Sequence, residues 1–415
     1  MKLISTISWS SLAAGLRLIT GFISIKFVAV LIGPHGVALI GQFQNFTSII
    51  MTIALGGISS GVIKYTAEFK DNPSELFKVW RTITWISGVL LLPTIIVLLF
   101  LHNYLAKKFL GDIKFASIFI VFAISLIVYV MNSLILNILN GLHNIKKYTI
   151  LNMLNSVLGL LVTIGLIHAF KIYGAILAIV ISQSVAFVVI VFFVINEKWF
   201  KINNFIGQFD KKYFKKLLGF TSMSVASMCV LPTGQIFVRT YLANHTSWNI
   251  AGCWQGMQSL SNSYLSIVYT ALGTYYLPKL ANLQDKVDIR KEIIAGYKLI
   301  MPFIFASVVI IYILRNFIIN IVFAKSFSPM SGMFAWQLVG DIFKIASWIL
   351  AYLMIAKAKS RMFILTELIF GISFILLSMV FINLLGNNGA VVAFCVNYFL
   401  YFILFVYLYK KDYLI

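Results

Sequence analysis

The chain has 415 residues, of which 61% are hydrophobic and only 11% are charged, and its mean hydropathy is +0.96. This composition excludes a large soluble domain and indicates an integral membrane protein. The net charge of +21 does not indicate nucleic-acid binding, because the cations lie mostly between apolar stretches, where anionic lipid headgroups would face them. The three cysteines lie inside apolar stretches, at spacings that suit neither disulfides nor a metal site.

Apolar segments long enough to cross a bilayer follow one another along the whole chain. Lysines and arginines concentrate in every second connection and near both termini. The positive-inside rule therefore places both termini in the cytoplasm and favours an even number of spans. We predict an all-α integral membrane protein of twelve transmembrane helices, at 7–32, 36–63, 80–103, 115–141, 148–169, 174–196, 214–243, 249–277, 295–320, 331–356, 362–385 and 389–409.

The longest polar stretch follows the sixth predicted span and is rich in lysine. We interpret residues 197–213 as a cytoplasmic linker between two lobes of six helices each, 1–196 and 214–415. Residues 211–218, where this polar stretch meets the second lobe, are a candidate interfacial helix.

A weak internal repeat supports two pseudo-symmetric lobes. Gly41-Gln42-Phe43-Gln44 resembles Gly252-Cys253-Trp254-Gln255. Six spans separate the copies, so both have the same orientation, and the lobes would be related by an axis along the membrane normal. Chance similarity between apolar helices is the alternative.

Four cations lie within predicted spans, Arg17, Lys26, Arg239 and Lys344. A charge in hydrocarbon costs on the order of 3 kcal/mol by insertion scales, so each is a candidate site residue. Arg17 lies near mid-depth of the first span and has no acidic residue three or four positions away. Snorkelling to the headgroups is the alternative for Lys26, which lies near the break predicted at Gly33-Pro34.

Side-chain amides form a stripe on the eighth span. Gln255, Gln258, Asn262 and Ser266 follow steps of three and four and so share one helical face, and Gln42 lies in the second span. A stripe of this length favours a wet cavity that would bind a polar substrate. Hydrogen bonding between helices is the alternative for any single amide.

Asp341 and Lys344 lie one helical turn apart on the tenth span, which predicts a structural ion pair. Coupling of transport to protons through Asp341 is the alternative. No nucleophile motif, nucleotide loop or metal-ligand cluster is evident, so the sequence predicts a transporter without cofactor or metal rather than an enzyme.

Six short stretches carry a resemblance to a known family: Gly33-Pro34-His35-Gly36-Val37, Lys64-Tyr65, Asp71-Asn72-Pro73, Trp254-Gln255-Gly256, Tyr276-Leu277-Pro278 and the run from Met333 to Asp341. With these the chain resembles the Wzx-type flippases of bacterial surface polysaccharide synthesis, which translocate O-antigen units or the enterobacterial common antigen lipid. They belong to the multidrug/oligosaccharidyl-lipid/polysaccharide superfamily.

The resemblance implies alternating access, in the bacterial inner membrane, to a central cavity lined by the four cations. The implied substrate is a short oligosaccharide on undecaprenyl pyrophosphate, and other polysaccharide-assembly membrane proteins are implied partners. Relatives carry acidic residues where this chain has Asn249 and Asn262, which puts any ion-coupling role at those positions in doubt.

Two other functions stay open. A cation-coupled exporter of drugs or small solutes could share the architecture, although the buried cations favour an anionic substrate. A polymerase or ligase acting on the same lipid would need a sizeable periplasmic loop with catalytic residues, and no such loop is evident.

Overall fold

The computed structural model describes residues 3–357 and 359–410, and these residues form helices and short connections without a β-strand. The predicted all-α class is therefore confirmed. The helices are α1 (Leu3–Leu55), α2 (Ser59–Glu68), α3 (Pro73–Phe100), α4 (His102–Leu105), α5 (Ala116–Gly141), α6 (Ile145–Val194), α7 (Lys211–His245), α8 (Trp248–Ala271), α9 (Leu277–Asn282), α10 (Lys286–Ile313), α11 (Arg315–Val322), α12 (Phe334–Ala356), α13 (Ser360–Leu385) and α14 (Gly389–Tyr409).

Within this described part, seven helical stretches are long and apolar enough to cross a bilayer. Three of them, Gly15–Leu55, Ile145–Val194 and Arg361–Tyr409, have 41, 50 and 49 residues. At 1.5 Å per residue these lengths reach about twice the hydrocarbon thickness, so each is long enough for two crossings. The chain is thus a multi-pass membrane protein. The count of twelve spans stays a prediction, because it also requires α7 and α8 to cross.

The long helices break where the backbone leaves the helical region. Gly33 has φ +75° and precedes Pro34, so the predicted break within α1 is confirmed. Glycine adopts positive φ without steric cost, and proline suits the first turn of the segment that follows. Lys171 has φ +51° and divides α6 between the predicted fifth and sixth spans.

The predicted second span, 36–63, is too long by eight residues. Gly56 and Gly57 both have positive φ, so α1 ends at Leu55. The chain resumes at Ser59 as the short helix α2. Two consecutive glycines in the left-handed region cannot continue a right-handed helix.

The described residues form two compact units. Unit 1 contains those of 1–27 and 42–232, and unit 2 contains those of 28–41 and 233–410. The predicted division of the chain at 197–213 stays a prediction.

In unit 1, the connection between α6 and α7 is held against α3. The indole of Trp80 stacks on Phe205 with ring centroids 5.4 Å apart and planes 7° apart. Arg81 Nη2 donates to the carbonyl of Asn203 at 2.8 Å, and Trp85 Nε1 donates to the carbonyl of Gly207 at 2.9 Å. The predicted linker is therefore a packed part of unit 1 along most of its length.

Helix α7 begins at Lys211 and continues unbroken to His245. Residues 211–218 are thus its first two turns, and their interpretation as an interfacial helix stays a prediction. The Tyr213 hydroxyl donates to Glu75 of α3. Burial, and then this hydrogen bond, raises the pKa of Tyr213, so the phenol remains a donor.

In unit 2, small residues allow close packing of backbones. A Cβ on Gly252 of α8 would lie 1.8 Å from the carbonyl oxygen of Pro34, and one on Gly41 would lie 2.3 Å from the side chain of Gln255. The segment of α1 that follows the break therefore packs closely along α8. On α12, Gly340 receives the ring of Phe394 from α14 in the same way, at 2.6 Å.

Candidate functional site

Helix α1 carries three of the predicted site residues, all in unit 1. The Arg17 side chain is exposed and forms no hydrogen bond or ion pair with the residues that the structure describes. Lys26 is half-buried and has an interaction partner within the chain. Gln42 is buried and also has a partner. Arg17 is therefore the most exposed of these three side chains, and its place in a binding site stays a prediction.

Arg239 of α7 lies in unit 2 and is completely buried. Its Nη2 donates a hydrogen bond to Oε1 of Gln255 on α8. Its guanidinium carbon also lies 5.5 Å from the centre of the Trp254 ring. An amide oxygen and an aromatic face are favourable neighbours for a guanidinium in a dry environment. Arg239 thus contacts Trp254 and Gln255, two residues of the second copy of the internal repeat.

Asp341 of α12 is fully buried and accepts three hydrogen bonds. Ser261 Oγ and Tyr264 OH, both of α8, donate to Oδ2 at 2.7 Å and 2.6 Å. Gln337 Nε2 donates to Oδ1 at 3.2 Å. An ionised carboxylate is acceptor-only, so three convergent donors match the ionised form.

The same network extends to one of the predicted amides. Gln258 of α8 is buried, and its Nε2 donates to Oε1 of Gln337 at 3.1 Å. Gln337 therefore connects Gln258 to Asp341. Asn262, one turn further along α8, is exposed. The predicted stripe thus divides into Gln255 and Gln258, which bind neighbouring helices, and Asn262, which is open.

Lys344 is enclosed by aromatic rings from three helices. Its Nζ lies 5.6–5.8 Å from four ring centres, those of Tyr269, Trp348, Phe394 and Tyr398. The side chain is 8% exposed. The negative faces of the rings attract an ammonium by cation–π interaction, worth about 2 kcal/mol when desolvated.

The predicted ion pair between Asp341 and Lys344 was wrong. Among the residues that the structure describes, no ion pair joins these two side chains. Asp341 is instead satisfied by donors of α8 and α12, and Lys344 by rings. The carboxylate and the ammonium remain one turn apart in a poorly solvated region, where unscreened attraction extends beyond direct contact.

Sequence reasoning missed several partners. Gln337 lies four residues before Asp341, and Trp348 lies four residues after Lys344, so helical spacing could have indicated both. Tyr269 belongs to α8 and Phe394 to α14, which are distant from α12 in sequence. Only the fold brings these two rings to Lys344.

The fold is that of a class of membrane transporters. A multidrug resistance MATE family transporter of the MOP superfamily, in an inward-facing conformation, superposes with a TM-score of 0.74 at 14% identity, covering 98% of each chain. The lipid II flippase MurJ, in an inward closed conformation, gives a TM-score of 0.74 at 14% identity, covering 99% of this chain and 89% of that one. At such low identity these likenesses concern the fold.

The family model for polysaccharide biosynthesis proteins matches residues 3–284, and the chain belongs to that family. A curated relative, the lipid III flippase of Escherichia coli (strain K12), is 28% identical over 408 residues, which are 97% of each chain. The predicted membership in the Wzx-type flippases is confirmed.

Proposed function

We propose that this chain translocates an oligosaccharide linked to undecaprenyl pyrophosphate from the cytoplasmic to the periplasmic leaflet of the bacterial inner membrane. The observation that carries the proposal is the similarity to the lipid III flippase along nearly the whole length of both chains. The MurJ likeness adds a second lipid flippase with the same fold.

In this function, the exposed guanidinium of Arg17 makes the first contact with the pyrophosphate of the substrate. A pyrophosphate that leaves water needs charge-assisted donors, and guanidinium offers them in bidentate geometry. Lys26 would add a second positive charge on the same helix. The isoprenoid tail can remain in lipid while the head group passes.

Arg239 and Lys344 would act later in the cycle, because both are buried with protein partners. For Arg239 to meet a phosphate, Gln255 must give up its hydrogen bond. The amide of Gln255, once released, and the exposed amide of Asn262 would form hydrogen bonds with the sugar hydroxyls.

Asp341 is the proposed coupling residue. Its three donors stabilise the carboxylate, and Lys344 lies one turn away. Protonation of Asp341 would add an O–H donor to a group that now only accepts, and the hydrogen bonds around it would rearrange. Such a change would reach α8, which also carries Gln255 and Gln258.

Export of drugs or small solutes by the same architecture is the second candidate, and the MATE likeness is the observation that favours it. The buried cations count against it, because they favour an anionic substrate.

Complementation tests the proposal. The chain should restore surface polysaccharide to a strain that lacks its lipid III flippase. A chain present in the membrane at normal level that restores no polysaccharide, yet lowers sensitivity to cationic drugs, would favour the second candidate.

A further inference from the structure

Two apolar grooves flank Trp85 in unit 1, where α3 meets the connection that precedes α7. The first, a cavity of about 470 Å³, lies between α3 and the start of α7 and is lined by Val89, Phe209, Phe214 and Leu218, among others. The second, of about 610 Å³, lies on the other side of Trp85 and is lined by Leu92, Ile127 and Ile206, among others. Trp85 and Val89 line both and form the ridge between them.

The ridge and the groove walls are open to the surroundings. Trp85 is 51% exposed and Val89 is 55% exposed. Phe209 and Leu218 are also exposed. Side chains of this size left uncovered in a membrane protein are expected to contact lipid chains, and a tryptophan is typical of the level of the headgroups.

Two lysines of α7 lie next in sequence to the residues that line the first groove. On α7 the groove is lined by Phe214, Leu217, Leu218 and Thr221. Lys211 precedes Phe214 by three residues, so it lies on nearly the same helical face one turn closer to the helix start, and Lys215 lies beside it. Both side chains are exposed and form no ion pair with the residues that the structure describes.

The other two lysines of this turn point elsewhere. Lys216 Nζ lies 5.5 Å, 5.9 Å and 5.7 Å from the rings of Tyr65, Phe69 and Tyr213. Lys212 Nζ lies 5.5 Å from the Tyr213 ring. Both therefore occupy the face of α7 opposite the groove.

The remaining charged groups nearby already have partners. Asp210 caps α7, because its carboxylate accepts from the backbone N–H of Lys212 at 2.8 Å and of Tyr213 at 3.4 Å. Lys78 pairs with Glu75 at 2.8 Å. Arg81 donates to Asn203, as described above. Lys211 and Lys215 thus remain available to an external anion.

We propose that the two grooves form a binding site for one anionic phospholipid of the adjacent leaflet. The acyl chains lie in the grooves on either side of Trp85, and Lys211 and Lys215 bind the phosphate. Charge complementarity decides the occupant: an apolar groove with two uncommitted lysines beside it fits an anionic amphiphile, because lysines near a membrane surface attract anionic headgroups. The paired grooves fit a lipid with two chains, whereas a polyprenyl lipid has one.

Quenching of Trp85 by brominated lipids tests the site. The purified full chain and its Trp85→Phe variant are placed in phosphatidylcholine vesicles that contain a minor fraction of brominated phosphatidylglycerol or of brominated phosphatidylcholine. The fluorescence difference between the two proteins isolates Trp85 from the other tryptophans. We expect several-fold stronger quenching of Trp85 by the brominated phosphatidylglycerol.

The lysines are tested by Lys211→Gln/Lys215→Gln, which should abolish this preference, and by the matched pair Lys107→Gln/Lys108→Gln, which should retain it. Equal quenching by the two lipids would overturn the proposal, since the grooves then hold bulk lipid. Displacement of the phosphatidylglycerol by undecaprenyl phosphate at low mole fraction would also overturn it, in favour of a polyprenyl site. If Trp85→Phe does not fold, native mass spectrometry can measure the phosphatidylglycerol retained by the wild type and by the two double-lysine variants. The proposal then requires that only Lys211→Gln/Lys215→Gln loses the lipid, and equal retention by all three proteins would overturn it.

Discussion

Three of the cations that we predict to lie within membrane spans have different environments in the structure. Lys344 lies among four aromatic rings, and Arg239 is bonded to Gln255. Arg17 is exposed and bonded to none of the described side chains. A buried charge without compensation is costly, so the partners of Arg239 and Lys344 offset the cost of their burial, whereas Arg17 is exposed and is the cation that we propose contacts the pyrophosphate first.

Replacing Arg17 therefore should affect transport and not folding. Arg17→Ala should abolish surface polysaccharide in the complemented strain while the protein remains in the membrane at normal level. Arg17→Lys should retain part of the function, because the charge survives and the bidentate fork is lost. Immunoblots of membranes provide the control, and wild-type polysaccharide from Arg17→Ala would remove this residue from the site.

Asp341 should contribute to stability through its three donors. Asp341→Leu leaves Ser261, Tyr264 and Gln337 without their acceptor, and each buried unsatisfied group costs about 1–3 kcal/mol. The melting temperature in detergent should therefore fall markedly. Asp341→Asn keeps an oxygen acceptor, so its melting temperature should fall less than that of Asp341→Leu. A melting temperature of Asp341→Leu equal to wild type would contradict the network.

At the scale of elements, local signals predicted the break at Gly33-Pro34, and the start of α8 lies one residue from its predicted position. The sequence did not predict where α1 ends, because an apolar run continues past Gly56 and Gly57 while the backbone turns there. It also did not reveal that residues 203–207 pack on α3. Those contacts depend on Trp80, Arg81 and Trp85, which lie more than a hundred residues earlier.

The close packing of α1 on α8 gives a test at this scale. Gly252→Ala would place a methyl group 1.8 Å from the Pro34 carbonyl oxygen, so the two helices must separate. We expect a lower melting temperature and reduced membrane level. Gly21→Ala, which meets no atom within 4 Å, is the matched control and should be as stable as wild type. Equal stability of both variants would show that α1 and α8 are not in close contact here.

For the whole molecule, charge bias predicts that residues 198–216 are cytoplasmic and 386–389 periplasmic. Single cysteines in each segment, in a background without Cys229, Cys253 and Cys395, should be labelled by an impermeant thiol reagent on intact cells only at 386–389. Labelling of both segments from outside would overturn the topology and the even span count.

The central claim is tested most directly by translocation in proteoliposomes. The purified chain is reconstituted with an undecaprenyl-pyrophosphate-linked oligosaccharide whose sugar carries a fluorophore that an impermeant reductant can bleach. We predict that the bleachable fraction rises with time above the level of protein-free vesicles, and that Arg17→Ala abolishes the rise. A bleachable fraction unchanged by the wild-type protein, in vesicles where the same protein moves a cationic drug, would contradict the flippase function and favour the exporter.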